Sequence, residues 1–407
     1  MKRIFFLMLT LLAFVFLSAF NFNPGPLILS MSLDDYRHFQ EHFGPLDRLF
    51  IRNGRGFFIA DIPLRNQAGE FGLAYEAYLL SPDTASPFSP ALSKRSSNGA
   101  FHSYLETEAV LQDLADRHPG LARKIEIGRS VEGRRISALC IGSSHMHEER
   151  PNIYILGCHH AREWISVEVP LDFASYLLEA YDTDADVRHR LDNTNIIIIP
   201  LVNPDGLEYS IRRYRYWRKN RRHNGNGIWG VDLNRNYGYK WGLDSVGSSP
   251  HPISPIFRGF SPFSEPETAA LRDYMHFHRP SGVITYHNFS QVILYPWGHT
   301  LEPAPHNHEM RELAARMSDA MEEVNGRRYD YGSASESFYL ANGNTDDWVY
   351  GEFGAFCFTI ELPPPEQIGH FFTDESEIVP ICRENRPGLL TFIDYFINWE
   401  SGFNSKL

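Results

Sequence analysis

Residues 153–164 read IYILGCHHAREW, from Ile153 to Trp164. The stretch opens as an apolar, β-branched run, set off by Pro151 and ended by Gly157, as a buried strand would be. It then breaks into His160-Ala-Arg-Glu163. On a helical turn a His and a Glu three apart are neighbours, so an imidazole nitrogen and a carboxylate can converge on one ion. A polar pair just past a strand sits where open α/β sheets place their sites. Two ligands do not close a metal site, so the rest of the chain must supply more.

Working outward, the same kind of apolar run recurs at Ile136–Ile141, Ile196–Ile199, Val283–Tyr286 and Cys357–Ile360. Such runs suit strands buried on both faces. Helices alternate with them. Ser103-Tyr-Leu-Glu106 is a capping box opening a helix that Pro119-Gly120 stops, with Val110, Leu111, Leu114 and Ala115 on its buried face. Val167–Tyr181, Glu265–His278 and His308–Val324 also read as helices. The pattern predicts an α/β fold over residues 101–400: a mixed, mostly parallel twisted sheet with helices on both faces.

Ahead of it, residues 23–80 read as a small α+β N-terminal unit. Leu27–Met31 and Leu49–Ile51 are expected as strands, and Asp34–Phe43 as a helix capped by Ser32. Apolar patterning continues at Phe57–Ile62 and Leu73–Leu80. Residues 81–100, rich in Ser, Pro and Ala, form a linker. It holds Lys94-Arg95, read either as two solvated charges or as a site where an activating protease nicks the chain. At the start, Lys2 and Arg3 precede the apolar run Ile4–Phe20, so residues 1–22 are expected to be an export signal and the protein to be secreted or periplasmic. Leu17-Ser18-Ala19 is a poor cleavage site, and an uncleaved anchor is the alternative, at the short limit for a span.

The chain has 407 residues, 43% of them hydrophobic and 22% charged, as in a globular protein with a sizeable core. Its net charge of −12 argues against nucleic acid as a partner and mildly favours cationic ligands. The four cysteines (Cys140, Cys158, Cys357, Cys382) are too scattered for a disulfide framework. They are expected to be free thiols, with Cys158 and Cys357 as neighbours because both lie on site-bearing strands.

Four strands end in chemistry. The first runs into His160 and Glu163, and Ile196–Ile199 runs into Pro200-Leu-Val-Asn-Pro-Asp-Gly206. Gly282-Val-Ile-Thr-Tyr ends in His287, and Phe356-Cys-Phe-Thr-Ile ends in Glu361. A lone strand-end histidine is usually packed or hydrogen-bonded, but a carboxylate closing an apolar strand needs a partner. Two His and one Glu with an open fourth position describe a catalytic zinc site, and the other Glu is then a general base.

With these residues in hand, the chain from Phe101 to Ile397 resembles the zinc carboxypeptidases typified by carboxypeptidases A and B. The likeness rests on HAREW (160–164), NPDG (203–206), YWRK (216–219), DLNRN (232–236), RGFSPFSEPE (258–267), YHNFSQ (286–291), the segment ending in DDW (339–348) and FTIEL (358–362), in that order, with IGRSVEGRRI (127–136) besides. The resemblance implies one zinc per catalytic domain, held by His160, Glu163 and His287, with Glu361 as base. It implies that Arg218 steadies the oxyanion, although locally RYRYWRKNRR (213–222) could be a basic surface run. Asn234 and Arg235 would grip the terminal carboxylate of a peptide, as a planar guanidinium does well. Asp232 would stand behind His160. Tyr339 would close over the substrate and Arg162 would hold the penultimate carbonyl.

Asp346, just before Asp347-Trp348, matches the floor of the pocket for the last side chain, where Asp goes with Lys or Arg. Ala334 and Gly298, at other pocket positions, leave room for a long side chain. Asp346 facing solvent beside a structural Asp347 is the competing reading. Two departures stand out. Cys158-His159 replaces a Gly-apolar pair, and Asn288 stands where a small hydroxyl residue is common. Relatives often carry an inhibitory prosegment, which the N-terminal unit would suit as a partner of its own enzyme. Alternatives are a permanent accessory domain there, a muropeptide-trimming cell-wall peptidase, and a binding module with a dead site.

Overall fold

The computed structural model describes residues 27–32, 47–52, 55–60, 75–79, 98–143, 147–365 and 371–404. The expected signal, the helix at Asp34–Phe43 and the dibasic pair Lys94-Arg95 lie outside the described residues. The chain divides into two compact units, Met1–Phe39 with Asp47–Leu92, and Gln40–Leu46 with Ser93–Leu407.

The first unit holds a four-stranded antiparallel sheet of β1 (Leu27–Ser32), β2 (Asp47–Arg52), β3 (Arg55–Ala60) and β4 (Tyr75–Leu79), in the order β2-β3-β1-β4.

The second unit is built on eight strands: β5 (Ala122–Arg129), β6 (Arg135–Ile141), β7 (Asn152–Leu156), β8 (Asn195–Ile199), β9 (Gly282–Ser290), β10 (Val292–Tyr295), β11 (Asp330–Ser333) and β12 (Phe356–Pro365). Their order is β11-β10-β12-β9-β7-β8-β6-β5. The central run from β12 through β9 and β7 to β8 is parallel, as is β10 with β11. The pairs β10–β12, β6–β8 and β5–β6 are antiparallel, so the sheet is mixed as the sequence predicts.

Alternation along the central strands divides the core. Ile153, Ile155, Ile196, Ile198, Ile284 and Phe358 face one layer, while Tyr154, Leu156, Ile197, Ile199, Val283 and Cys357 face the other. The first layer is covered by α1 (Tyr104–Arg117), α2 (Ile165–Ala180), α3 (Ala185–Asn193), α6 (Asn307–Asn325) and α9 (Ile378–Asn404). The second is covered by α5 (Pro266–Phe277) and α8 (Thr345–Phe353); α4 (Pro204–Arg212) precedes α5 and buries Leu207 in the first layer, and the short α7 (Ala334–Ser337) lies between α5 and α8 in the chain. The expected capping box is present at the start of α1. Burying a Leu or Ile side chain contributes about 1.5–3 kcal/mol, so these two layers dominate the fold's stability.

Two expectations need correction. His160 and Glu163 do not lie on a helix: they sit in a tight turn, closed by Glu163 N–H donating to His160 O at 3.2 Å, and α2 begins only at Ile165. The three-residue spacing still converges because an i to i+3 turn faces its ends the same way. Cys158 and Cys357 are not neighbours. Cys158 packs in the first layer and Cys357 in the second, and all four cysteines are free and buried. Among the described residues no helix is long and apolar enough to cross a membrane.

Candidate metal centre

The turn after β7 is held by its neighbours. Gly157 has no room for a side chain, because a Cβ there would lie 2.2 Å from Ser166 O and 2.7 Å from Pro200 O. Cys158 takes a left-handed φ of 54°, costly for a non-glycine residue, and turns the chain off the strand. Backbone bonds then tie the turn to the segments after β8, from Val202 N–H to Gly157 O, Asn203 N–H to Cys158 O, and Ala161 N–H to Arg218 O. Asn203 caps α4 by accepting from Gly206 N–H, and its amide donates to His159 O and Lys219 O. The NPDG and YWRK stretches therefore act as a brace for the HAREW turn.

The turn delivers His160 and Glu163 to His287 from β9. His160 Nδ1 lies 2.9 Å from Glu163 Oε1, and His287 Nδ1 lies 2.9 Å from Glu163 Oε2 and 3.0 Å from His160 Nδ1. These atoms form the one cluster among the described residues able to hold a metal ion, and all three residues are buried. The donor set fits zinc. Two imidazole nitrogens at 3.0 Å need a proton or a cation between them, and ligands at about 2.0–2.1 Å from one ion lie about 3.3 Å apart. Two nitrogens and a carboxylate with an open fourth position are what a catalytic zinc requires.

Asp232 organises the side behind His160. It is fully buried, and its Oδ1 accepts from His160 Nε2 at 3.1 Å and from Asn234 N–H at 3.0 Å. Its Oδ2 accepts from Arg218 Nε and Nη2 at 3.1 and 3.0 Å. Burial alone would push its carboxyl up, but Arg218 and then His160 hold it well below the usual carboxylate range. Arg218, aimed by Asp232, brings Nη1 to 4.0 Å from Glu163.

Glu361 of β12 pairs in register with His287 of β9, which places it beside the cluster. It is 8% exposed, and burial, then the Glu163 carboxylate, pushes it well above the usual range. Arg235 is buried, and its Nη2 donates to the Tyr339 hydroxyl at 3.3 Å, while Tyr339 is 46% exposed. Asn234 lies next to it, its Oδ1 accepting from Thr345 N–H and Thr345 Oγ1 at 2.9 Å each. Arg162 is buried with its guanidinium flat on Phe371, 3.6 Å from the ring centre.

The two aspartates of the DDW stretch separate. Asp347 accepts from Gly298 N–H, His299 N–H and the His299 ring. Asp346 does not face solvent. It is 4% exposed, accepting from Thr359 Oγ1 at 2.8 Å and Cys357 Sγ at 3.2 Å, and no ion pair to it is found among the described residues. Burial raises its carboxyl to about 7, with Asp347 adding to the rise. A Cβ on Gly298 would meet Asn344 Nδ2 at 2.4 Å, so this position admits nothing larger.

His159 does not join the metal cluster. Its Nε2 meets Tyr237 Oη at 2.7 Å and Thr345 Oγ1 at 3.3 Å, and its Nδ1 meets Thr285 Oγ1 at 3.2 Å. Its ring stacks on His287 at 5.5 Å. Thr345, Thr359, Cys357 and Tyr237 are site residues that the sequence reading passed over. A neutral hydroxyl carries no periodicity of its own, but Thr359 lies two residues before Glu361, on the same face of one strand, and could have been found from that spacing.

Three comparisons bear on this site. The family profile described as "Zinc carboxypeptidase" matches residues 107–388. Carboxypeptidase B of Astacus astacus is 36% identical over 295 residues, spanning 71% of this chain and 95% of that protein. Carboxypeptidase A1 of Rattus norvegicus is also 36% identical, over 75% of this chain and 73% of its own. Among solved structures, carboxypeptidase A from Helicoverpa armigera superposes with a TM-score of 0.74 at 27% identity, covering 92% of this chain and 98% of that one.

Proposed function

The chain belongs to the zinc carboxypeptidase family and is a metallocarboxypeptidase with one catalytic zinc, and from that premise we propose that it is an exported enzyme removing C-terminal Lys or Arg from peptides. The observation that carries the preference is Asp346, a buried carboxylate whose partners are neutral donors. A buried charge without a counter-charge is costly, and a Lys or Arg side chain supplies the counter-charge while an apolar one does not.

In this reading His160, Glu163 and His287 would hold the zinc, which would supply the positive charge that makes water more acidic and a carbonyl more electrophilic. Glu361 takes a proton from the water as its oxygen bonds to the carbonyl carbon, then returns that proton to the amine nitrogen as the C–N bond breaks. Arg218, fixed by Asp232, faces the negative charge that develops on the carbonyl oxygen. Asn234 and Arg235 receive the terminal carboxylate, and the exposed Tyr339 ring covers it. Arg162, flat on Phe371, holds the penultimate carbonyl.

The N-terminal unit acts as an inhibitory prosegment released by cleavage after Arg95, and residues 1–22 direct export. In support of an N-terminal unit shared with relatives, the likeness to the solved carboxypeptidase A extends over 92% of the chain, beyond the span of the family profile.

Peptides alike except for a last residue of Arg, Leu or Glu test the preference. Wild type is expected to favour Arg over Leu by on the order of 100-fold in kcat/KM, and Asp346→Ile to reverse the order. Preference for Leu by both proteins would sink the reading.

A further inference from the structure

His159 is fully buried, its ring nitrogens meet three hydroxyls, and none of its hydrogen bonds reaches the metal cluster. We propose that His159 is a positioning residue that, through Thr345, fixes the orientation in which the Asn234 amide meets the substrate's terminal carboxylate. The proposal rests on the reading of Asn234 and Arg235 as the carboxylate clamp.

Thr345 gives both its N–H and its hydroxyl proton to Asn234 Oδ1, at 2.9 Å each. Two donors on one oxygen settle which end of the amide is which, so Asn234 presents its NH2 group on the opposite side. A hydroxyl has one proton. With it committed to Asn234, the Thr345 oxygen is left as an acceptor, and His159 Nε2 lies 3.3 Å from it. Tyr237 Oη, 2.7 Å from the same nitrogen, completes the cluster. His159 is in turn braced by Thr285 and by its stack on His287.

From its other end the clamp is held by Asn234 N–H on Asp232, the carboxylate that also takes His160 Nε2. A closed chain thus runs from one metal-site histidine through Asp232, Asn234, Thr345 and His159 to the other. Removing the His159 nitrogens leaves the Thr345 oxygen without the donor that fixes its rotamer, so the hydroxyl can swing off Asn234 and the Asn234 amide can turn. What weakens is carboxylate binding, while the groups that act on the scissile bond stay in place.

The test uses zinc-loaded enzyme and two N-blocked peptides, one ending in Arg and one in Leu, alongside metal analysis. His159→Leu and Thr345→Val are each expected to raise KM by about tenfold on both peptides, with kcat within about twofold. Zinc stays at one per chain, Thr345→Ser keeps the wild-type KM, and the double variant is no worse than either single one. If His159→Leu does not fold, the Thr345→Val and Thr345→Ser pair carries the test alone. Wild-type KM in His159→Leu or Thr345→Val, while Asn234→Ala raises it, overturns the proposal and leaves the clamp intact. Wild-type KM in Asn234→Ala overturns clamp and proposal together. Loss of zinc from folded His159→Leu overturns it too, since that is the behaviour of a ligand.

Discussion

Two adjacent aspartates meet different fates. Asp347 is surrounded by donors that include two backbone N–H groups, whereas Asp346 is buried against a hydroxyl and a thiol. Its carboxyl, raised to about 7, binds a proton more tightly in the folded protein than in the unfolded chain. The folded state therefore loses stability as pH rises from about 4 to about 7, and the loss levels off above that. Asp346→Asn is expected to be more stable than wild type at pH 8, on the order of a few kcal/mol, and to lose that advantage at pH 4. Thermal unfolding at the two pH values measures this, and an advantage that is equal at both would contradict it.

Glu361→Gln keeps the shape of the site and removes the proton acceptor. It is expected to lower kcat by at least about a hundredfold with zinc content unchanged, read by steady-state kinetics and metal analysis. At this scale Glu163, His287 and Glu361 were legible because each follows an apolar run, although β9 and β12 continue past His287 and Glu361, whereas Arg162, Arg218, Asp232, Arg235 and Asp346 were legible only through the resemblance. The sequence did not show Thr345 or Thr359, whose importance lies in what they touch.

The turn between β7 and α2 is where element and site are one thing. Gly157 admits the close approach of Ser166 O and Pro200 O, and Asn203 ties the turn to the YWRK stretch. Gly157→Ala is expected to destabilise the fold by on the order of 1–3 kcal/mol and to speed zinc loss to a chelator. A variant with wild-type melting temperature and zinc retention would show that the brace is unnecessary. The strands were legible because burial on both faces leaves long apolar runs, as in the NIIII of β8. The helical reading of His160-Ala-Arg-Glu163 failed because spacing alone does not distinguish a helix from an i to i+3 turn. The edge strand β5 escaped because buried and exposed residues mix along it, and the other edge strand, β11, because DYGS holds no apolar run.

Across the whole molecule, the sheet brings His287 of β9, Glu361 of β12 and the turn that follows β7 together at one end of the central parallel run. That arrangement could be anticipated from the order of the motifs, but the chain of contacts joining Asp232, Asn234, Thr345 and His159 could not, because its members are far apart in sequence. Zinc removal is expected to abolish hydrolysis and lower the melting temperature, and one equivalent of zinc to restore both. Cleavage after Arg95 is expected to raise activity, with the purified residues 23–95 inhibiting when added back; equal activity before and after cleavage would make the N-terminal unit a permanent accessory.

The proposed preference for basic C-termini rests on the charge of Asp346, whose carboxyl burial raises to about 7 in the free enzyme. The ratio of kcat/KM for an Arg-ending peptide to that for its Leu-ending counterpart isolates this charge, because titrations common to both substrates cancel. As pH falls from 8 to 5.5, the ratio is expected to decline steeply through about 7, while kcat for the Arg peptide at saturation keeps its Leu-like profile. A ratio that stays level over that range, or one that favours Leu throughout, would contradict it.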